Sequence, residues 1–188
     1  MPSCLSLLPS SFAALVLLTT PQAHAFERQW HAGIDGGLGG LFSDPTANGF
    51  GGGTHLAYGL SDAFNALLEI DVTRHPSAGT TGATVWSGGT GVVYTLDVAR
   101  AFPYAGLLVA GYRLNGELRC ASLASGKPYC APPSNAPGMQ YVLGLDYQLE
   151  RNWAIGVQLR VHTIFAPDPV GVLAYGTTFL RVEYLWQW

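Results

Sequence analysis

Apolar and polar side chains alternate with a period of two along most of this chain, and the alternation is interrupted at intervals by turn residues. A strand points successive side chains to opposite faces, so each interrupted run reads as one β-strand with two unlike faces. Eight such runs span about 29–41, 48–60, 64–74, 83–97, 102–114, 138–149, 152–165 and 175–188. In "MQYVLGLDYQLE", Met139, Tyr141, Leu143, Leu145, Tyr147 and Leu149 alternate with Gln140, Val142, Gly144, Asp146 and Gln148. In "WAIGVQLRVHTIF", Trp153, Ile155, Val157, Leu159, Val161 and Phe165 alternate with Ala154, Gly156, Gln158, Arg160 and His162. The pattern is all-β and predicts an eight-stranded, antiparallel, up-and-down barrel.

Which face turns outward decides what solvent the barrel is built for. A soluble barrel hides apolar residues inside, whereas a membrane barrel presents them to lipid and fills its interior with polar ones. Bulky residues group on one face, with Trp86, Val92, Tyr94 and Leu96 on the fourth run and Tyr104, Leu108, Tyr112 and Leu114 on the fifth. Small or charged ones group on the other: Gly33, Asp35, Gly37 and Gly39 on the first run, and Gly51, Gly53, His55 and Ala57 on the second. A soluble core made from that second set would be nearly empty, so the bulky face is assigned to lipid. Charge gives the same answer. Asp35, Glu69, Asp71, Arg113, Asp146, Arg160, Arg181 and Glu183 are read on the small-and-polar face, together with His55 and His162. The charged exceptions, Arg74, Asp97 and Glu150, lie near the ends of runs, where a lipid-facing charge costs only ~0–1 kcal/mol against ~2–4 kcal/mol at mid-depth.

Composition agrees with a transmembrane barrel. The 188 residues are 48% hydrophobic and only 11% charged, less than half the ~25% charged usual for soluble domains. After Phe26 no window approaches the ~18 uninterrupted apolar residues of a membrane helix. Residues 1–25 carry no acidic or basic side chain, hold an apolar run from Phe12 to Leu18, and end in Ala23-His24-Ala25, the small-x-small pattern of a signal-peptidase site. They are expected to be a secretory signal removed after Ala25, although the basic start of such signals is missing. Residues 26–188 are then the barrel domain.

Export bears on the cysteines. Cys4 leaves with the signal, and Cys120 and Cys130 remain in "RCASLASGKPYCAPPSNAPG", where they are expected to form one disulfide. Two cysteines without nearby histidines fall short of a structural zinc site. The net charge of −3 gives no basic patch, so nucleic acid is not an expected partner.

Connections between runs alternate in length. Short links at 61–63, 98–101 and Arg151 predict periplasmic turns; longer ones at 42–47, 75–82, 115–137 and 166–174 predict outer loops. An even strand number then puts both mature termini in the periplasm. Aromatic residues gather near both ends of the runs, as amphipathic rings do at the two membrane interfaces.

The last eight residues, "RVEYLWQW", carry the sharpest signature. Leu180, Val182, Tyr184, Trp186 and Trp188 alternate with Arg181, Glu183, Leu185 and Gln187. This resembles the terminal strand of the Gram-negative outer-membrane β-barrel family, most closely its small eight-stranded members similar to the barrel domain of outer membrane protein A. The resemblance implies that the terminal aromatic is read by the barrel-assembly machinery; most relatives end in Phe where this chain has Trp188. It also implies outer-membrane lipid as surroundings, with a monomeric barrel expected.

Candidate chemistry is sparse. The histidines are scattered rather than set at metal-ligand spacing, and no cofactor is implied. "GFGGGTHLAYG" lacks the GK[ST] of a phosphate loop and leads into no helix. His75 and Ser77 in "RHPSAG" match the His-x-Ser pair of lipid A deacylases, small barrels that this chain also resembles, but Pro76 separates them and no acidic residue follows closely. A plain turn is the preferred reading there. The lumen charges could form a structural plug or line a narrow ion path; eight strands leave an interior just wide enough for side chains to fill, which favours the plug. The expectation is a non-enzymatic membrane-anchored structural or binding element without an open pore, whose contact surface is the disulfide-tied loop 115–137. A lipid-modifying enzyme and a narrow channel are the alternatives.

Overall fold

The computed structural model describes residues 27–41, 44–75, 82–116, 120–122, 128–130, 134–165 and 172–187. The strands are β1 (Gln29–Leu41), β2 (Asp44–Gly59), β3 (Phe64–His75), β4 (Ala83–Thr95), β5 (Ala101–Gly116), β6 (Cys120–Ser122), β7 (Pro128–Cys130), β8 (Ser134–Glu150), β9 (Trp153–Phe165) and β10 (Val172–Gln187). Eight of them close into a barrel in the order β1-β10-β9-β8-β5-β4-β3-β2, while β6 and β7 pair with each other alone. All neighbours are antiparallel, and β1 completes the ring by pairing with both β2 and β10. Closure leaves no unpaired sheet edge, the condition a bilayer imposes on a β-structure. No helix among the described residues is long and apolar enough to cross a membrane, and a barrel crosses with strands instead.

The eight alternating runs are the eight barrel strands. At one rim the ladder runs further than the alternation suggests: β2 starts at Asp44, β8 at Ser134 and β10 at Val172. The expected loop at 42–47 is therefore reduced to residues 42–43, and a register shift at Gly40/Leu41 marks where the sheet bends into it. A second correction lies inside 115–137, where β6 and β7 form a small ladder the alternation did not reveal.

The opposite rim carries tight turns with readable chemistry. Ser61 Oγ accepts the backbone N–H of Phe64 at 3.2 Å, closing the turn between β2 and β3. Val98 and Ala101 exchange two backbone hydrogen bonds of 3.0 Å around a two-residue turn in which Ala99 has φ 62°. Asn152 Nδ2 donates to Leu185 O at 2.7 Å and ties the β8–β9 turn to β10.

The barrel wall separates side chains as an inside-out protein does. Ile34, Leu38, Leu68, Ile70, Trp86, Val92, Leu143, Leu145, Leu159 and Leu180 all stand outward and exposed. Asp35, Glu69, Asp71, Gln140, Asp146, Gln158, Arg160, Arg181 and Glu183 are all buried within the ring. An exposed apolar belt of this extent has its natural solvent in hydrocarbon, so the chain is a transmembrane barrel.

One strand departs from the expected phase. On β5, Tyr104, Leu108, Tyr112 and Leu114 are buried in the lumen, while Leu107, Val109 and Arg113 face out. The reason is volume supplied by glycines on adjacent strands: Gly144 stands opposite Tyr104 and Gly91 opposite Leu108. A methyl group at Gly144 would collide with the Tyr104 ring, and one at Gly138 would come within 2.7 Å of Tyr112 Cε2. The interior is thus partly apolar. Val85, Tyr112, Leu114, Ala136, Ile164 and Tyr175 form one cluster, and Ala57, Leu67, Val93, Tyr104, Leu108 and Val142 another.

Candidate functional site

The chemistry of the described residues is concentrated in the lumen, and all eight barrel strands contribute to it. Inward glycines make room for it as they do on β5: a methyl at Gly33 would sit 2.5 Å from His55 Cε1, and at Gly53 it would sit 2.9 Å from Asp35 Oδ1. Across the β1–β2 ladder His55 stands directly opposite Gly33 and Asp35 directly opposite Gly53.

Arg160 on β9 occupies the middle. Its Nη2 is 3.0 Å from Asp35 Oδ2 and 3.1 Å from Glu69 Oε1, its Nη1 is 3.1 Å from Asp71 Oδ2, and its Nε donates to Gln158 Oε1 at 2.7 Å. The guanidinium also lies over the Phe179 ring, 5.0 Å from its centroid. Gln158 Nε2 donates to Glu69 Oε1 at 3.0 Å and Ser87 Oγ donates to Asp71 Oδ2 at 2.6 Å, so the carboxylates around Arg160 are themselves held. Arg160 and Gln158 are 1% and 0% exposed, so packed side chains occupy the middle of the lumen.

Nearer the short-turn rim, Arg181 meets Glu183 and the Tyr104 hydroxyl, with Asp146 Oδ2 at 4.0 Å. His55 joins the two arginine clusters: Nδ1 is 3.2 Å from Asp35 Oδ2, and Nε2 is 2.9 Å from Glu183 Oε1, the latter in ion-pair rather than hydrogen-bond geometry. His31 Nδ1 reaches the other oxygen of Glu183 at 3.3 Å. Below this lies a cavity of about 30 Å³ lined by His31, Asn65, Asp146, Arg181 and Glu183, which is room for roughly two water molecules.

Toward the opposite rim, His162 is sandwiched by hydrogen bonds and rings. Its Nδ1 is 3.2 Å from the Tyr112 hydroxyl and its Nε2 is 3.2 Å from Thr177 Oγ1. Its ring stacks on Tyr175, centroids 4.1 Å apart and planes 7° from parallel. Burying so many charges is expensive unless each is paired and hydrogen-bonded; Arg160 meets that condition at all three nitrogens, while Arg181 is paired through Nη1 and Nη2 and its Nε is left without a hydrogen-bond partner.

Of the residues assigned from sequence to the polar lumen, Asp35, His55, Glu69, Asp71, Asp146, Arg160, His162, Arg181 and Glu183 are brought together there. Arg113 is not: it faces outward beside the rim, where a long side chain can reach the interface with its charge, so its assignment to the lumen was incorrect. His75 is the last residue of β3, buried in the lumen with its ring edge toward Tyr175; Ser77 lies outside the described residues. Tyr184 and Trp186 stand on the outside of β10 with rings 6.0 Å apart, next to outward Leu180 and Val182, while Trp188 lies outside the described residues. Cys120 and Cys130 are direct partners in the β6–β7 ladder. Sequence reasoning missed His31, Tyr104, Tyr112, Gln140, Gln158 and Tyr175 as lumen groups. The alternation did place Gln140 and Gln158 on the right face, but nothing in it distinguished them as hydrogen-bonding members.

No protein-family model matches the chain, and no curated protein is similar to it in sequence. Its fold is nevertheless shared by solved structures. Neisserial surface protein A (NspA) is 16% identical with a TM-score of 0.62, over 83% of this chain and 95% of that one. The outer membrane protein OprG of Pseudomonas aeruginosa is 12% identical with a TM-score of 0.54, over 87% and 99%. Ail, the attachment invasion locus protein of Yersinia pestis, is 14% identical with a TM-score of 0.52, over 86% and 100%. At these identities the likeness establishes the small eight-stranded barrel fold.

Proposed function

We propose that the chain is a monomeric outer-membrane barrel, closed to solutes, that acts as a membrane anchor presenting the segment around β6 and β7 as its contact surface. The observation that carries this reading is the partition of the wall: on the eight barrel strands, the described charged side chains that face outward, Arg74, Arg113 and Glu150, all stand at or beside a rim, while the interior holds the other carboxylates and both other arginines. The packed middle around Arg160 supports a structural plug over a channel, since a conducting lumen needs a wider ring. Eight strands bring both ends of the barrel to the short-turn rim, which supports periplasmic termini after removal of residues 1–25. The direct pairing of Cys120 with Cys130 supports a disulfide that ties the longest connection, and loops on rigid scaffolds are where binding resides.

The test uses whole cells and a thiol reagent that cannot cross the outer membrane. The proposal expects labelling of Cys120 and Cys130 only after reduction, on a protein that fractionates with outer membranes. Labelling without reduction removes the disulfide; labelling that requires broken cells, even after reduction, reverses the orientation. Deleting residues 117–133 should then leave the barrel in the membrane while abolishing any surface adhesion that the intact chain confers.

A further inference from the structure

The outer wall carries a feature that a plain anchor does not need. Arg74 on β3 and Arg113 on β5 stand at the same rim, the long-loop one, and flank Trp86 on the strand between them: Trp86 pairs directly with Arg113, and it pairs with Val72, two residues from Arg74. Both charges have the same sign. The described charges at the other rim are mixed, with Glu27, Asp62, Asp97 and Glu150 beside Arg28, Arg100 and Arg151.

Beside this pair the wall is hollowed. A groove of about 640 Å³ opens on the outward face, bounded by Ile70 and Trp86 on one side and Pro137 on the other, with Arg113 lining it. The hollow exists because Gly88 and Gly111 place no side chain there: a methyl at Gly111 would meet nothing within 4 Å, and one at Gly88 would meet only the Glu69 carbonyl at 3.9 Å. The volume is within the ~300–1,000 Å³ typical of ligand sites. It is apolar along its length and cationic at the rim.

We infer that this groove binds one anionic phosphorylated lipid, its phosphate against Arg113 and Arg74 and an acyl chain lying over Gly88 and Gly111. Arginine pairs with phosphate through two parallel N–H donors, and an indole beside it is suited to the headgroup level. Paired cations at a membrane surface select anionic headgroups over zwitterionic ones. The inference rests on the proposed orientation, in which the long-loop rim lies in the outer leaflet, where the phosphate-bearing lipid of an outer membrane is a phosphorylated glycolipid.

The experiment takes the full mature chain extracted from outer membranes and measures lipid retention by native mass spectrometry. The probes are the phosphorylated glycolipid, the same lipid dephosphorylated, and phosphatidylcholine. The expected result is retention of one phosphorylated glycolipid at least about tenfold tighter than either control. R74Q/R113Q should erase that preference and R113K should preserve part of it. G111L, which fills the groove without touching the lumen, should weaken retention of the phosphorylated lipid while heat-modifiable gel mobility stays that of the native barrel. Equal retention of the three lipids, or wild-type preference in R74Q/R113Q, overturns the inference while leaving the membrane reading intact. Recovery of the chain outside the membrane fraction would instead overturn that reading.

Discussion

Trp30 and Trp186 face each other across the seam where the first strand meets the last, paired in register with ring centroids 6.3 Å apart and planes 12° from parallel. Tyr58 packs on Trp30 at 4.7 Å, Tyr184 on Trp186 at 6.0 Å, and Trp153 on Tyr184 at 5.1 Å, so aromatic contacts run from β2 to β9 over the closure. Closure joins strands more than 100 residues apart in sequence, the slowest kind of contact to form. Such a pair adds ~0.5–1.5 kcal/mol beyond burial. Trp30→Ala and Trp186→Ala should each lower the urea midpoint of the heat-modifiable barrel, and a double-mutant cycle should return a coupling energy of that size. Strict additivity would mean the stack contributes nothing to the seam.

The lumen predicts asymmetric effects at glycine. Gly144 and Gly156 lie under Tyr104 and Asp146, where a methyl group has no room, whereas at outward Gly36 the nearest atom would be the Gly51 carbonyl at 3.6 Å. Gly144→Ala and Gly156→Ala should each destabilise the barrel by ~1–3 kcal/mol through overpacking, and Gly36→Ala should be close to neutral. Unfolding in urea, read by gel mobility, distinguishes these outcomes.

Arg160 holds three carboxylates from two other strands. Removing one member of a buried charge cluster leaves the others uncompensated, at a cost of ~3–5 kcal/mol. Arg160→Met should therefore be strongly destabilising, and adding Glu69→Gln and Asp71→Asn to it should recover part of the loss. A triple variant less stable than Arg160→Met would show that the carboxylates stabilise the barrel independently of the arginine.

Ala99 adopts φ 62° in the turn between β4 and β5, a conformation that disfavours any side chain. Ala99→Gly should raise stability by up to about 1 kcal/mol, measured as a higher urea midpoint with unchanged slope.

The eight strands were legible because lipid and lumen impose unlike demands on alternate residues, and on β8 and β9 those demands coincide with simple polarity. On β5 they do not. Both of its faces are apolar, Tyr104, Leu108, Tyr112 and Leu114 on one and Leu107 and Val109 on the other, so period two fixes a strand without fixing its phase. Size misleads there, because the space for Tyr104 comes from Gly144 on β8, a relation that exists only once the register is known. Arg113 misleads for a related reason: polarity assigns a charge to the lumen, while proximity to the rim lets it stay outside. The β6–β7 ladder was hidden because three-residue strands are too short to show a period. The acidic and basic members of the network were visible as types, but their partners, such as His55 between Asp35 and Glu183, depend on tertiary placement alone.

The account stands or falls on which face of the wall meets lipid, and a nitroxide scan along β8 in bilayers tests that directly. Single spin labels at 141 to 147, in a cysteine-free chain, are read for relaxation by oxygen, which concentrates in hydrocarbon. Positions 141, 143, 145 and 147 should show strong oxygen contact and positions 142, 144 and 146 weak contact. The reverse phase, or no period of two, would contradict the inside-out barrel.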